Sequence, residues 1–221
     1  MLIVLEGLDG AGKTTQLNLL EKYFTEKGIK TKLLHFPRFN TPLYGDLIAS
    51  FLRGEFGTNV DPRLVALLYA NDRSDASSMI RAWISENNVV ILDRYVYSNI
   101  AFQCAKIEDK QQREKLREWI FQMEFEYFKI PKPDISIFLD VPFDFTVKKL
   151  SEQREGADRK YLNGKDDIHE SDLELQKRVR QVYIDEAIIH KNLKLIDCVG
   201  ADITMKLPET IHKEVVAQIT K

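Results

Sequence analysis

The stretch Leu2-Ile3-Val4-Leu5-Glu6-Gly7-Leu8-Asp9-Gly10-Ala11-Gly12-Lys13-Thr14-Thr15 holds the pattern G-x-x-x-x-G-K-T at positions 7–14, directly behind an apolar run. An apolar run without polar alternation predicts a strand buried on both faces. After the pattern, apolar residues return at 17, 20 and 24, a helical spacing. Strand, glycine-rich turn and helix, in that order, is the context in which this pattern binds phosphate. The glycines let successive backbone N–H groups converge on one hollow, and a helix starting near Lys13 aims the positive end of its dipole at the same place. Gly7, Leu8, Asp9, Gly10, Ala11, Gly12, Lys13, Thr14 and Thr15 are thus the expected contacts of a nucleoside triphosphate. Lys13 supplies a mobile positive charge for the outer phosphates, and the Thr14 hydroxyl a ligand for Mg2+.

Further along, strands are expected at 31–36, 89–92, 134–139 and 193–196, and the continuous run Val89-Val90-Ile91-Leu92 reads as a central strand. Helices are expected at 13–27, 43–52, 61–86, 96–107, 111–129, 143–153, 171–191 and 208–219, with Ser171 as a cap, and the charged segment 154–168 as a loop. Strands alternating with helices predict an α/β fold: a five-stranded parallel sheet flanked by helices. The 221 residues carry neither an internal repeat nor a low-complexity linker, so one domain over 1–221 is expected.

Ligands of such a sheet gather outside the carboxyl ends of its strands. The strand exits are Asp9, Pro37-Arg38, Asp93-Arg94-Tyr95 and Asp140. Arg94 and Arg38 offer planar forks for a phosphate, and Asp93 a carboxylate that can reach magnesium directly or through water. Tyr69 and Arg73 stand four apart on one helix face, as an aromatic surface beside a guanidinium suited to a flat base. Taken alone, Tyr69 fits the core and Arg73 the surface by ordinary burial tendencies. Asn99, Phe102 and Gln103 form a second polar and aromatic patch, and an Asn can meet both a donor and an acceptor on a base edge.

Composition narrows the class. With 44% apolar residues, 30% charged residues and a net charge of −2, the chain resembles a soluble globular protein and lacks the basic excess of a general nucleic-acid binder. No run of 18 apolar residues suggests a membrane span, and the first strand, with Glu6, does not read as a signal peptide. Cys104 and Cys198 lack metal-type spacing and are expected reduced in the cytoplasm. The four histidines share no spacing and receive no role. A guanine-reading Asn-Lys-x-Asp, the mark of a GTP-dependent switch, is not found.

The series Glu6-Gly-Leu-Asp-Gly-Ala-Gly-Lys-Thr-Thr-Gln16, Phe36-Pro-Arg38, Leu67-Leu-Tyr-Ala-Asn-Asp-Arg73 and Asp93-Arg-Tyr95 with Ser98-Asn99 resembles the thymidylate kinase family, in order and over essentially the whole chain. The resemblance implies a P-loop NTPase three-layer fold with a short lid, and transfer of the γ-phosphate of ATP to dTMP, giving ADP and dTDP. It implies that Arg38 and Arg94 hold the acceptor phosphate, that Asp9 lies near the sugar 3′-hydroxyl, and that Tyr69 stacks on thymine. Arg73 and Asn99 would read the thymine edge, Phe102 would sit against the sugar, and Ser98 and Tyr161 would join the acceptor site between residues 37 and 103 and the lid. Asp93 and Thr14 would stand near the metal. Some members carry an arginine inside the P-loop where this chain has Gly10, so the lid would supply it from Arg154 or Arg159. The family also implies a homodimer, with the aromatic stretch 119–128 as core or as part of its interface. Another nucleoside monophosphate kinase or a deoxynucleoside kinase is the alternative reading.

Overall fold

A computed structural model describes residues 1–57, 59–151, 157–201 and 204–220. Five strands, β1 (Leu2–Glu6), β2 (Thr31–His35), β3 (Val89–Asp93), β4 (Ile135–Asp140) and β5 (Leu193–Asp197), pair in parallel in the order β2-β3-β1-β4-β5. The α-helices are α1 (Lys13–Glu26), α2 (Tyr44–Leu52), α3 (Pro62–Ser85), α4 (Val96–Cys104), α5 (Lys110–Phe121), α6 (Phe143–Ser151), α7 (Leu173–Ile189) and α8 (Pro208–Ile219).

The three layers follow from the two-residue repeat of a strand. Leu2 and Val4 of β1 face one core with Ala70, Ile80, Ile100 and Tyr183, drawn from α3, α4 and α7. Ile3 and Leu5 face the other, with Leu20 and Phe24 of α1 and Val215 of α8. Every residue of β1, β3 and β4 is buried, whereas the edge strand β2 is partly exposed. The middle position belongs to β1, with β3 beside it. The register sets Leu5 opposite Asp93, which brings the Asp93 exit against the glycine loop.

Four expectations need correction. The helix expected over 111–129 is α only to Phe121; Gln122–Tyr127 is a π-helix, in which the Phe128 N–H donates to the Met123 carbonyl five residues back. Asp172, not Ser171, caps α7, accepting from the Leu175 N–H at 2.8 Å. The Ser171 hydroxyl instead donates to the Ile168 carbonyl. Segment 154–168 contains a 3-10 helix, Ala157–Leu162. Helix α4 stops at Cys104, three residues short of the expected end.

Candidate active site

Two cavities open at the carboxyl end of the sheet. The larger, about 570 Å³, is lined by the loop from Asp9 to Gln16, by Asp93 and Arg94, and by Lys149 of α6. Its far wall is Met205, Lys206, Leu207, Pro208 and Ile211, a segment to which the sequence reading gave no role. The smaller, about 100 Å³, is lined by Tyr69, Arg73, Ser98, Asn99, Phe102 and Tyr161 among others. Asp9, Arg94, His35, Phe39, Tyr161 and Glu170 border both.

The loop has the geometry its glycines permit. Gly10 and Gly12 take φ of +76° and +80°, values open to glycine at low cost. At Gly10 a Cβ would stand 2.7 Å from the Lys149 Cβ, so a side chain there would have to push α6 aside. Gly7 and Leu8 line neither cavity; they hold Lys13 from behind, their carbonyls accepting from its Nζ at 3.3 and 2.9 Å. Burial lowers the Lys13 pKa and Arg94 adds to this, against the opposing pull of Asp93, Asp9 and Glu6.

Arg94 is held in a left-handed conformation, φ +66°, which disfavours a side chain unless its surroundings enforce it. Glu6 provides that enforcement. Its carboxylate accepts from the Tyr95 N–H at 3.0 Å, the Ser98 N–H at 3.3 Å, the Ser98 hydroxyl at 2.5 Å and the Tyr183 hydroxyl at 2.9 Å. Burial nonetheless raises the Glu6 pKa. The Arg94 fork donates to Asp9 at 2.7 Å and to Ser98 Oγ at 3.2 Å, and lies over the Phe102 ring. Burial works against the Arg94 charge, but Asp9 and the other nearby acidic groups outweigh it and raise its pKa. Ser98 thus borders the smaller cavity with its hydroxyl committed to the Glu6 network.

Asp93 accepts from His35 Nδ1 at 3.1 Å through Oδ2. Its Oδ1 is buried without a hydrogen-bond partner among the described residues. Burial would raise the Asp93 pKa, but Lys13, then His35 and Arg94, prevail and hold it below the ordinary carboxylate value.

The smaller cavity is built by helices. Arg73, 2% exposed, contradicts the surface placement that its residue type suggests. It donates through Nε and Nη2 to the two carboxylate oxygens of Glu124, both at 2.6 Å. Asn99 Nδ2 donates to Glu124 at 2.9 Å and to the Ala66 carbonyl at 3.0 Å, and its Oδ1 is buried without a partner among the described residues. Tyr161 stacks on Phe39 at 3.7 Å and donates to Asp167 at 2.8 Å. Phe102 stacks on His169 at 5.1 Å. Burial and the nearby Asp9 raise the Asp167 pKa to about 6.

Arg38 departs from expectation. It borders neither cavity: Asp72 takes its Nε at 2.8 Å and its backbone N–H at 2.9 Å, and Asp75 takes Nη2 at 2.6 Å. The two aspartates sit three apart on α3, on one face, and hold the guanidinium beside the Phe36 ring. Arg154 lies outside the described residues, as does the side chain of Arg159. Sequence reasoning missed Glu6, His35, Phe39, Glu124, Lys149, Asp167 and His169. Glu6 alone had a visible signal, a carboxylate in an otherwise apolar strand.

No helix among the described residues is long and apolar enough to cross a membrane. A family model described as thymidylate kinase matches residues 5–201. A thymidylate kinase of Mycobacterium tuberculosis is 35% identical over 188 residues, covering 85% of this chain and 86% of that relative. A probable thymidylate kinase of Pyrococcus horikoshii is 31% identical over 221 residues, covering 98% and 94%. The solved thymidylate kinase of Candida albicans is similar in fold, with a TM-score of 0.74 at 24% identity, over 99% of this chain and 90% of that one. Sequence and fold converge: this chain belongs to the thymidylate kinase family.

Proposed function

We propose that this enzyme transfers the γ-phosphate of ATP to dTMP, giving ADP and dTDP for dTTP synthesis. The observation that carries this reading is the meeting of the two cavities at Arg94 and Asp9. A triphosphate on the loop and a monophosphate on Arg94 would face each other there. Phosphoryl transfer of this kind depends on placement and charge more than on covalent help from the protein.

Lys13 and the loop amides hold the ATP phosphates, and the 205–208 segment flanks the rest of the nucleotide. Arg94 holds the acceptor phosphate. Asp9 stands by the sugar, Phe102 limits space at the sugar edge, Tyr69 covers one face of the base, and Arg73 and Asn99 meet its edge. Tyr161 closes over the pair as part of the lid, and Arg154 or Arg159 brings positive charge to the transferring group. The crowding of Gly10 by Lys149 supports a lid origin for that charge.

The residues suit Mg2+. Magnesium takes few protein ligands and fills its shell with water and phosphate oxygens. The buried, unpartnered Asp93 Oδ1 and the Thr14 hydroxyl on the same cavity provide two hard oxygens. When bound, the ion neutralises phosphate charge. One kinase unit over 1–221 and a cytoplasmic location complete the reading. A homodimer would cover the apolar face where Tyr127, 80% exposed, borders Leu67 and Trp119.

ADP release with ATP and magnesium, offering dTMP, dUMP, dCMP and AMP separately, tests the function. Preference for dTMP is expected. Activity with only another monophosphate overturns the substrate, and no transfer at all overturns the reaction.

A further inference from the structure

We propose that Glu124 is the positioning residue that sets base selectivity, by locking Arg73 as a donor and Asn99 as an acceptor in the smaller cavity. The inference rests on the dTMP reading and deepens it.

A carboxylate only accepts. Glu124 receives Nε and Nη2 of Arg73, both at 2.6 Å, and Nδ2 of Asn99 at 2.9 Å. The second Nδ2 hydrogen of Asn99 goes to the Ala66 carbonyl at 3.0 Å. With acceptors at both of its hydrogens, the amide has one orientation, and its oxygen must point away from Glu124. That oxygen is buried and has no partner among the described residues. An unmet buried acceptor is costly, and this one belongs to a side chain that lines the smaller cavity. An acceptor kept unpaired on a residue that lines a cavity awaits a donor from a ligand. The fork of Glu124 also leaves the Nη1 hydrogens of Arg73 outside the ion pair.

The cavity thereby presents a donor beside an acceptor. Thymine offers the complement, a ring N3–H next to the O4 carbonyl. Cytosine offers the reverse, a bare N3 next to an amino group, so each contact would set donor against donor or acceptor against acceptor. Glu124 touches no substrate. It acts by fixing which atoms of Arg73 and Asn99 do. Its place in the π-helix agrees with this, because such turns recur at functional sites.

Glu124→Leu tests the idea. In the wild type one oxygen of Glu124 accepts from both Arg73 Nη2 and Asn99 Nδ2, whereas a leucine accepts from neither, and Asn99 is free to turn its nitrogen toward the cavity. The expected result is a fall of about 10- to 100-fold in the ratio of kcat/KM for dTMP to that for dCMP, with KM for ATP unchanged. A variant that loses both substrates equally, or keeps the wild-type ratio, overturns the proposal. Should the variant fail to fold, the wild type decides with N3-methyl-dTMP, which lacks the ring donor: rejection is expected, and turnover equal to dTMP overturns it. Wild-type turnover is measured first. Inactivity on dTMP would overturn the substrate reading and this inference together, whereas activity on dTMP with an unaltered ratio in the variant would overturn the inference alone.

Discussion

The two ends of the site are built on different plans. The phosphate end is made of backbone and of residues next to one another in sequence: a loop from 7 to 14, and Asp93-Arg94 on the adjoining strand, set opposite by the register of β1 and β3. The base end is made of side chains from α3, α4 and a π-helix, with Arg73 and Glu124 separated by 51 positions and joined by a buried ion pair. At one end the fold supplies the geometry and the side chains add charge. At the other the side chains hold one another, so changes there should disturb stability and recognition together.

Substitutions at the two ends should separate these plans. The largest effect is expected at the base end. Arg73→Ala leaves the Glu124 carboxylate buried without its cation, a loss of about 3–5 kcal/mol in stability. Chemical denaturation measures it, and a midpoint equal to wild type would show that the base end is not held by its own side chains. Lys13→Ala is the counterpart at the phosphate end. Turnover should fall by about 10²–10³, as for loss of one electrostatic contact to a transition state, while the midpoint barely moves. A well-folded Lys13→Ala enzyme with normal kcat would remove the loop from the chemistry.

What could be read from sequence follows the same division. The phosphate end was legible because a contiguous pattern fixes its own backbone, and the parallel sheet then pointed to Asp93 and Arg94. The π-helix was not, because apolar residues at 120 and 123 are equally compatible with an α-helix that continues. Glu124 therefore carried no signal of its own in the sequence. For Arg38 the reverse holds: its strand exit was visible, but Asp72 and Asp75, the acids that pair with it in this structure, were not weighed as its partners. His35 and His169 were dismissed because spacing along the chain says nothing of residues that meet across a cavity.

Two smaller tests sharpen the contrast at the cover over both ends. Phe39→Ala removes the stack beneath Tyr161, worth about 0.5–1.5 kcal/mol, and should raise KM for dTMP roughly 2- to 10-fold with little change in kcat. An unchanged KM would mean that the stack plays no part in holding the acceptor. The least effect is expected from Asp167. Its folded pKa, about 6, lies above the ordinary 3.8, so the stability it contributes is complete below 3.8 and is lost as pH rises through about 6. Melting temperatures of Asp167→Asn and wild type should therefore diverge in the variant's favour from pH 4 to about 7. Parallel curves would show that this carboxyl is not the one titrating.

The π-helix makes recognition depend on counting. A π-helix winds wider than the α-helix before it, so loss of the single residue Gln122, with Leu116 and Ile120 still anchored in the core, would change the direction in which Glu124 leaves the helix toward Arg73 and Asn99. No side chain of the site would have changed, yet its preference for one base over another would lose its support. In this fold, a preference among pyrimidines is written partly in the length of one turn, and a deletion there would be a substitution of specificity.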